Sequence, residues 1–555
     1  MSRHLIPALE WIRNYQSKDF RGDLSAGGVV AIMLVPQGMA YAMLAGLPPV
    51  AGLYASTLPL IVYALFGSSR HLAVGPVAMM SLLVYAGVSP LADPGSEKYI
   101  GLVLLLSMMV GLMQVGLGFL RAGFFVNFLS HAVISGFTSA AAIVILLSQL
   151  PHLIGIKVSG GHSALHLLEG IGRNIGNSHP ITLGIGLMSL VTLEVFKKKR
   201  PHFPAPILVV AGSIFLVYLF GLDQYGVKIV GQVPKRLATL SFPVFDIESI
   251  QALFQAALTI LFVGFMESIS VAQLIAAKEK YKVDSNQELI GLGLANLTAS
   301  FFSAYPVTGG FSRTAVNHQA GARTGLASIV TATIILLTLT FFTSFFYYLP
   351  NTVLAAVVIV AVVGLIDVKG VRHLFSLKRM DGWTMALTFL ATLVLGGEKG
   401  ILLGAAFSLL LFIWRSSRPH AAELGYLEKE NVFRNIKRYP EVQTYPEILI
   451  LRIDESLYFA NMAFLEDFLH HRIAEKPDAK WVIMDLSGVN DMDAVAVDTL
   501  EDLMASYHER GIQFLFAGMK GPVRDLVVRA GWEKKHGEQI GFLSIQHALQ
   551  KIRIL

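Results

Sequence analysis

Long apolar segments separated by short, charged loops follow one another from residue 24 to residue 418. The chain is 54% hydrophobic and only 15% charged, a balance that soluble domains of this size do not show. Its 50 glycines suit tight helix packing, because small residues let helix backbones approach each other within a bilayer. The pattern predicts a polytopic α-helical membrane protein.

The apolar segments number about fourteen and divide into two sets of seven. The first set lies at residues 24–45, 49–66, 72–87, 101–120, 124–149, 181–196 and 204–220. The second set lies at residues 250–276, 289–302, the short piece after 308, 326–349, 353–366, 384–395 and 401–414. Because an odd number of segments inverts the second set relative to the first, we expect an inverted repeat over 24–220 and 250–418.

Basic residues in the loops set the orientation of the chain. Most of them fall on the side of the N-terminus, which the positive-inside rule makes cytoplasmic; Lys228, Lys235 and Arg236 are exceptions on the other face. Residues 1–23 lack the apolar core of a signal peptide, so we expect a retained cytoplasmic segment at the membrane interface. The sequence therefore predicts a multi-pass protein of the plasma (cell inner) membrane.

The most informative stretch is residues 305–317, YPVTGGFSRTAVN, which is rich in glycine and hydroxyl groups. Two successive glycines suit a chain break before a short helix, and the first free backbone N–H groups of such a helix point at a bound anion. The sequence therefore predicts an anion seat here. Its candidate residues are Thr308, Gly309, Gly310, Phe311, Ser312 and Arg313.

Arg313 places a permanent positive charge within an apolar region. An arginine inside a membrane is costly unless it faces protein or water, so a functional role is the default interpretation. The alternative is that Arg313 only pairs with a nearby carboxylate for structural reasons.

A second interrupted segment lies in the first half, where Gly75 and Pro76 open an apolar piece at residues 72–87 that is too short to cross a bilayer comfortably. Interrupted segments at matching places in two halves are typical of a transporter's binding site. In an inverted repeat the two half-helices meet at their N-termini, so that two positive dipole ends converge on one place.

Three polar residues lie within other spans. Gln37 and Tyr41 are one turn apart and line a cavity or, alternatively, pack against a neighbouring helix. Glu267 places a carboxylate in the middle of a span. It compensates Arg313 in a structural ion pair, carries a coupling proton, or does both.

Several classes of protein are excluded or disfavoured. The chain has no cysteine, which excludes disulfides, thiolate metal sites and cysteine catalysis. We predict no metal, no cofactor and no enzymatic activity, because the motifs do not assemble a nucleophile, a base and an orienting group. The net charge of +6 falls at loops rather than in one stripe, so we expect no nucleic-acid partner.

The composition changes after the last apolar segment, where charged residues become frequent. Residues 447–453 and 481–486 are typical of buried strands, and residues 494–508 and 523–529 have helical spacing. This pattern predicts a soluble α/β domain over about 424–555.

Five motifs occur in order along the chain: VPQGMAYAMLAGLPPVAGLYAS from Val35, GSSRHLAVGPVAMMSL from Gly67, FMESISVA from Phe265, YPVTGGFSRTAVNHQAGARTG from Tyr305, and VFRNIKRYP followed by VIMDLSGVNDMDAVAV. Together they resemble the SulP (sulfate permease) family of anion transporters, whose membrane part is followed by a C-terminal STAS domain. The resemblance spans nearly the whole chain.

The resemblance implies a core domain, built from spans one to four and eight to eleven, that holds the anion and moves like an elevator against a gate domain. It places Gln37 and Tyr41 at the site and Pro76 and Val77 at the start of the first half-helix. It makes Glu267 the proton-coupling residue. It also implies a homodimer, a cytoplasmic STAS domain and a possible regulatory partner at that domain.

Two positions depart from the family pattern. Ala51 replaces the usual tyrosine or asparagine before Gly52. Asp493 is followed by Ala494, where regulatory STAS proteins carry a phosphorylatable serine. We therefore expect a dimerisation and regulatory module without that phosphorylation switch.

The seat alone does not choose among small oxyanions. The motif around Arg313 resembles proton-coupled sulfate transporters, so we expect sulfate as the anion and a proton as its co-substrate. Val271, one turn after Glu267, offers no oxygen ligand for sodium. The alternatives are transport or exchange of bicarbonate, chloride, nitrate or a dicarboxylate, an uncoupled anion channel, a nucleobase permease, and a sensor.

Overall fold

The computed structural model describes residues 6–124, 130–158, 164–199, 205–232, 240–243 and 245–552. It contains two compact units, Met1–Ser408 and Leu409–Leu555. The predictions that concern Lys235, Arg236 and the first five residues lie outside the described residues.

The first half of the membrane part is made of ten helices within the described residues. They are α1 (Ala8–Arg13), α2 (Ser17–Leu44), α3 (Pro49–Ala55), α4 (Leu58–Phe66), α5 (Ala78–Val88), α6 (Glu97–Phe119), α7 (His131–Ile154), α8 (Ala164–Asn174), α9 (Pro180–Lys199) and α10 (Ala205–Phe220). A two-residue strand, β1 (Val74–Gly75), precedes α5.

The second half repeats this order. Its elements are α11 (Ile247–Lys278), α12 (Ser285–Phe301), β2 (Thr308–Gly309), α13 (Phe311–Gln319), α14 (Leu326–Leu337), α15 (Asn351–Val363), α16 (Val368–Leu377), α17 (Arg379–Leu395) and α18 (Gly397–Ser416). In each half a two-residue strand leads into a short helix, as the two interrupted segments of the sequence predict.

Among the described residues, eight helical segments are long and apolar enough to cross a membrane, and α5, α10 and α15 are shorter apolar helices. With α3 and α4 counted as one broken span, and with α1, α8 and α16 left out because they are not membrane segments, the described residues provide seven segments before residue 221 and seven after residue 246. The predicted fold class, a helical membrane protein of two sets of seven segments followed by an α/β domain, is confirmed.

Several predicted segments are continuous in the sequence but not in the structure. The segment at 49–66 is broken at Thr57, whose hydroxyl donates to the Tyr54 carbonyl at 2.7 Å, and Pro59 starts a new helix. The segment at 326–349 changes from α-helix to a π-helical turn, Thr338–Phe342, and then to a 3₁₀ turn. Apolar periodicity does not report such breaks, because the stretches on either side remain mostly apolar.

Some helices extend beyond, or begin within, the apolar segments of the sequence. Helix α2 begins at Ser17 rather than Leu24, because its first turns are polar and lie outside the apolar stretch. The first half-helix begins at Ala78, after Gly75 and Pro76 have formed an extended segment. The amphipathic helices α8 and α16 were not predicted, since they do not span.

Loop contacts define the two ends of the bundle. At one end α2 begins, and its Asp23 accepts backbone hydrogen bonds from Arg323 and Thr324 at 2.7 and 3.0 Å; we call this end the N-terminal face. At the other end α2 finishes, and the Ala45 carbonyl accepts the Tyr99 hydroxyl at 2.6 Å; we call it the opposite face. The N-terminal face also includes residues 66–71, 120–124 and 279–286.

Glycine contacts set the closest helix spacing in the bundle. A Cβ added to Gly52 would lie 1.8 Å from the Gly38 carbonyl oxygen, so α3 touches α2 backbone to backbone. Gly111 of α6 and Gly293 of α12 are in similar contact. The glycine content predicted this kind of packing. The contact between Gly38 and Gly52 fixes the part of α2 that carries Gln37.

A buried carboxylate joins the two halves. Glu288 of α12 is fully buried and accepts the Tyr63 hydroxyl at 2.6 Å and the Ser68 and Ser69 backbone N–H groups at 2.7 and 2.9 Å. These donors come from α4 and the loop after it. Glu288 therefore ties the segment that leads into β1 to the second repeat.

The second unit is an α/β domain with one five-stranded sheet. The strands are β3 (Ala421–Leu427), β4 (Val432–Asn435), β5 (Ile448–Ile453), β6 (Trp481–Asp485) and β7 (Gln513–Ala517), in the order β4-β3-β5-β6-β7. The helices are α19 (Phe459–Ala474), α20 (Ala494–His508), α21 (Gly521–Arg529), α22 (Trp532–His536) and α23 (Ile545–Lys551). Strands β5, β6 and β7 are parallel, and β3 pairs antiparallel with both β4 and β5.

We expect Gly52→Ala to destabilise the membrane part by about 1–3 kcal/mol, because the new methyl group meets backbone atoms that cannot move aside. Gly28→Ala is the matched control, since nothing lies within 4 Å of its added Cβ. The thermal midpoint of the detergent-solubilised protein measures the difference. Equal midpoints for the two variants would contradict the close α2–α3 contact.

Candidate functional site

The two interrupted segments pair with each other through main-chain hydrogen bonds. Strands β1 and β2 are antiparallel, with Val74 opposite Gly309 and Gly75 opposite Thr308. The Gly310 N–H then donates to the Ala73 carbonyl at 3.1 Å. Each strand leads directly into a helix, and the two strands run in opposite directions. The helices α5 and α13 therefore begin at opposite ends of this short antiparallel pair, which we call the β1–β2 ribbon.

Neither half-helix is capped by a side chain. The residues before them, Val77 for α5 and Gly310 for α13, are extended and provide no side-chain hydrogen bond to the first turn. The first backbone N–H groups of a helix have no partner within that helix. Both positive dipole ends are thus left open at the same level of the bundle.

Arg313 lies in the first turn of α13 and is only 2% exposed. Its guanidinium donates to the Pro76 carbonyl and, at 3.5 Å, to the Ala73 carbonyl, while its Nε has no partner among the described residues. Cβ atoms added to Gly75 or Gly310 would lie 3.3 or 3.1 Å from its Nη2. The glycines therefore provide the space in which the guanidinium reaches from one half-helix to the start of the other.

Arg313 forms no ion pair within the described part of the chain, so the predicted alternative of a simple structural pair finds no support. Tyr41, Glu267 and Tyr305 are the titratable groups whose charges act on it. A guanidinium bound by carbonyls keeps its full positive charge. The position between two open helix N-termini remains electropositive.

A set of hydroxyl groups holds the β2 backbone in place. The Thr308 hydroxyl donates to the Gly264 carbonyl at 2.6 Å, and the Ser268 hydroxyl lies 2.6 Å from it. Ser268 also accepts the Gly309 N–H at 2.8 Å. Thr308 is therefore at the predicted position, but its one hydroxyl proton is used by the protein.

Other scaffold residues were missed by the sequence analysis. Asn296 accepts the Val307 N–H at 2.7 Å, Thr314 accepts the Ala73 N–H at 3.1 Å, and Asn317 donates to the His71 carbonyl at 2.9 Å. Thr314 and Asn317 belong to the SRTAVN motif; Thr314 directly follows Arg313, and Asn317 is one turn after Arg313. A polar face of α13 turned toward residues 71–73 was the available signal.

A second set of polar side chains is unbonded. Gln37 and Tyr41 on α2 are buried, Glu267 on α11 is half-buried, and Ser312 in the first turn of α13 is exposed. None of the four has a side-chain hydrogen bond to protein within the described residues. The electrostatic coupling of Tyr41 with both Arg313 and Glu267 shows that α2, α11 and α13 converge.

The remaining predicted residues frame this space. Pro76 provides a carbonyl to Arg313, Val77 precedes α5, and Gly309 and Gly310 form the turn into α13. Phe311 is 53% exposed and lies beside Ser312 at the start of α13. The structure thus brings all the predicted site residues to the starts of the half-helices and the two spans beside them.

A polar cavity of about 760 Å³ opens on the N-terminal face along α11. We call it the N-terminal vestibule. Its lining includes Arg121, His131, Ser270, Gln273 and Lys282. Ser270 is three residues after Glu267 on the same side of α11, so the vestibule reaches to one helical turn from that carboxylate.

Fold and site together define a membrane transporter of two inverted repeats, with an electropositive position between opposed half-helices. Residues 20–388 match the Sulfate permease family and residues 439–547 match the STAS domain. The chain belongs to the sulfate permease family.

Relatives agree with this assignment. The chain is 40% identical over 565 residues to "Sulfate transporter 4.1, chloroplastic" of Arabidopsis thaliana, with 98% of this chain and 82% of the relative covered. It is 35% identical to "Sulfate transporter 1.1" of the same plant, with 98% and 88% covered. These names are those of transporters and not of enzymes.

Among solved structures, the chain resembles murine Solute Carrier 26 family member A9, an anion transporter in the inward-facing state. The TM-score is 0.92 at 25% sequence identity, and 100% of this chain and 96% of that chain are covered. The transmembrane domain of the cyanobacterial bicarbonate transporter BicA shares the fold, with a TM-score of 0.60 at 24% identity over 71% of this chain and 97% of that one.

We expect Ser268→Ala to lower the free energy of unfolding by about 1–3 kcal/mol, because the buried Gly309 N–H loses its acceptor. Ser270→Ala, two residues along α11, is the matched control, since that hydroxyl only donates to the Met266 carbonyl of its own helix. Thermal midpoints compare the two variants. If Ser268→Ala melts like Ser270→Ala, Ser268 does not hold the β2 backbone.

Proposed function

We propose that the chain is a secondary anion transporter that carries sulfate together with a proton. The observation that supports this most is Arg313, buried and free of ion pairs within the described residues, between two uncapped helix N-termini. A position with three sources of positive potential and no bound carboxylate favours an anion. The relatives named as sulfate transporters support sulfate as the first candidate.

In this proposal the unbonded polar groups bind the anion. Gln37, Tyr41 and Ser312 donate hydrogen bonds from side chains, and the first N–H groups of α5 and α13 donate from the backbone. The Arg313 guanidinium supplies charge at short range. Thr308 contributes through its backbone, because its hydroxyl is already bonded.

Glu267 is the proposed proton carrier. Its carboxylate has no hydrogen-bond partner within the described residues, and its charge acts on Arg313. A negative Glu267 competes with the anion for the positive charge, whereas a protonated Glu267 does not. Proton and anion binding therefore favour each other, which is the requirement for symport.

The proposed transport movement is an elevator motion of a core against a gate. The core comprises α2–α6 and α11–α14, and the gate comprises α7, α9, α10, α15, α17 and α18. The bonds of Glu288 with Tyr63 and of Asn296 with Gln114 stay within the core. The bond of Thr352 with the Leu153 carbonyl stays within the gate. Two internally bonded sets of helices are suited to move as rigid bodies.

We also propose that the protein forms a homodimer in the plasma (cell inner) membrane, with its N-terminus and STAS domain in the cytoplasm. The basic loops on the N-terminal face support this orientation. In the STAS domain Asp493 caps α20, accepting the Ala496 and Phe459 N–H groups at 2.8 and 2.9 Å. Because Ala494 follows Asp493, the STAS domain has no serine to phosphorylate at this position. In this proposal the domain recognises a regulatory partner without that phosphorylation.

Arg313→Gln should weaken sulfate binding about tenfold to a hundredfold, in line with roughly 1.5–3 kcal/mol for hydrogen bonds to a charged group. Arg323→Gln is the matched control, because its exposed side chain lies beyond the end of α13. Sulfate-dependent shifts of the thermal midpoint and radiolabelled uptake into proteoliposomes measure the effect. Unchanged affinity in Arg313→Gln would remove Arg313 from the site.

Glu267→Gln should abolish the stimulation of sulfate uptake by an inward proton gradient while sulfate binding is retained. The physical reason is that the amide imitates the protonated acid and cannot titrate. Glu248→Gln, in the exposed first turn of the same helix, should leave the stimulation intact. Coupling through Glu267 is excluded if the Gln variant still responds to the gradient, and symport is excluded if the unmodified protein does not respond.

A further inference from the structure

A second cavity, of about 400 Å³, opens on the opposite face between α5 and the end of α7. We call it the opposite-face cavity. One wall is formed by Leu82, Tyr85 and Ala86 of α5, and the basic residues His152, Lys157 and Lys228 lie on the other side. The described residues that line it include no aspartate or glutamate.

The basic residues are held in place by the backbone around them. His152 is in the last turn of α7, and Lys157 follows the helix end at Gly155, whose φ of +80° requires a left-handed conformation. Lys228 is fixed near the start of α15, because its carbonyl accepts the Asn351 N–H at 3.0 Å. Two separate parts of the chain thus direct their cations to one cavity.

No acidic side chain balances these cations within the described residues. Lys157 and Lys228 form no ion pair there, so the cavity carries the charge of two lysine ammonium groups beside the His152 imidazole. The nearest acid along the chain after Lys157 is Glu169, which pairs with Arg173. The nearest acid before Lys228 along the chain is Asp223, which does not line the cavity, and none follows Lys228 until Asp246. Like charges gathered without a counter-charge raise the local potential, which a bound anion lowers.

We infer that the opposite-face cavity is a second anion-binding site, which takes a small divalent oxyanion before it reaches Arg313. The inference rests on the proposed function, because it assigns the cavity to the same anion. Leu82 and Ala86 are five and nine residues after Val77 along α5, so this wall of the cavity lies about 8–13 Å from the start of that half-helix at 1.5 Å per residue. The two sites share one helix.

Recognition in this cavity depends on charge more than on directed hydrogen bonds. The Ser148 hydroxyl donates to the Ile145 carbonyl at 2.7 Å and accepts from the Gln149 amide at 3.3 Å, so both groups are already engaged. Two lysine ammonium groups and an imidazole remain. Such a site concentrates divalent anions without choosing strongly among them, and its effect weakens as salt is added.

The absence of cysteine from the chain makes a direct measurement possible. Ala86→Cys places a single thiol on the cavity wall. This thiol reacts with anionic sulfonatoethyl methanethiosulfonate and with cationic trimethylammonioethyl methanethiosulfonate, and the ratio of the two rates reports the local electrostatic potential. The reference is the same ratio at Gln224→Cys, an exposed position on the same face. We expect the anionic reagent to be favoured about tenfold at Ala86→Cys, the lower end of the range for charge-lined clefts. Sulfate in the bath should slow that reaction.

Variants of the lysines assign the effect. Lys157→Gln with Lys228→Gln in the Ala86→Cys background should bring the rate ratio back to that of Gln224→Cys. Lys157→Arg with Lys228→Arg, which keeps the charge, should preserve it even if packing is slightly altered. Lys98→Gln removes a different exposed lysine of the opposite face and should change nothing.

The outcomes separate this inference from the proposed function. A rate ratio that matches Gln224→Cys, a ratio unaffected by the double Gln variant, or no labelling at all would overturn the second site. The opposite result is also informative. If the anionic reagent reacts much faster than the cationic one, sulfate slows that reaction, and the protein still does not take up sulfate, then the second site is supported and sulfate transport is rejected. The readout does not pass through Arg313 or Glu267.

Discussion

The pairing of Val74–Gly75 with Thr308–Gly309 is the contact on which the rest of the site depends. Two residues on each strand are enough to bring together chain segments that are more than two hundred residues apart. The Arg313 guanidinium then bridges the ribbon by donating to the Ala73 and Pro76 carbonyls. Without this pairing neither half-helix would have a fixed start, and the open N–H groups of α5 and α13 would not face one another.

Some polar side chains of the candidate site are hydrogen-bonded to protein and others have no protein partner. This division allows a site buried in the membrane part to be stable and, in the proposed function, to bind an anion. Ser268, Asn296 and Thr314 use their hydrogen bonds to hold backbone, so their burial is compensated. Gln37 and Tyr41 do not, and their buried polar atoms favour a polar ligand. In the proposed cycle the anion supplies the missing partners, and protonation of Glu267 removes a carboxylate charge that acts on Arg313.

The sequence predicted the class of fold and the two interrupted helices, because these depend on local features such as apolar length and Gly-Gly and Gly-Pro breaks. The binding residues that it proposed around these breaks stay predictions. It did not predict the β1–β2 ribbon, since a two-residue strand leaves no periodic pattern. It also missed the π-helical turn at Thr338–Phe342 and the break at Thr57, which lie within mostly apolar stretches. Thr308 was assigned to the ligand although its hydroxyl holds α11, because the sequence shows that a hydroxyl is present and not which partner it finds.

The placement of positive charge along the bundle follows from what a carrier requires of its binding site. A seat made only of buried donors would hold a divalent anion too firmly to release it, whereas basic residues at exposed mouths attract anions weakly and exchange them fast. Arg121 and Lys282 line the N-terminal vestibule together with Asp284, and Lys157 and Lys228 line the opposite-face cavity. If both mouths act in this way, the anion meets a shallow positive potential on either side of the deep seat at Arg313. The basic residues on the opposite face, which are exceptions to the positive-inside rule, then have a physical reason to be there.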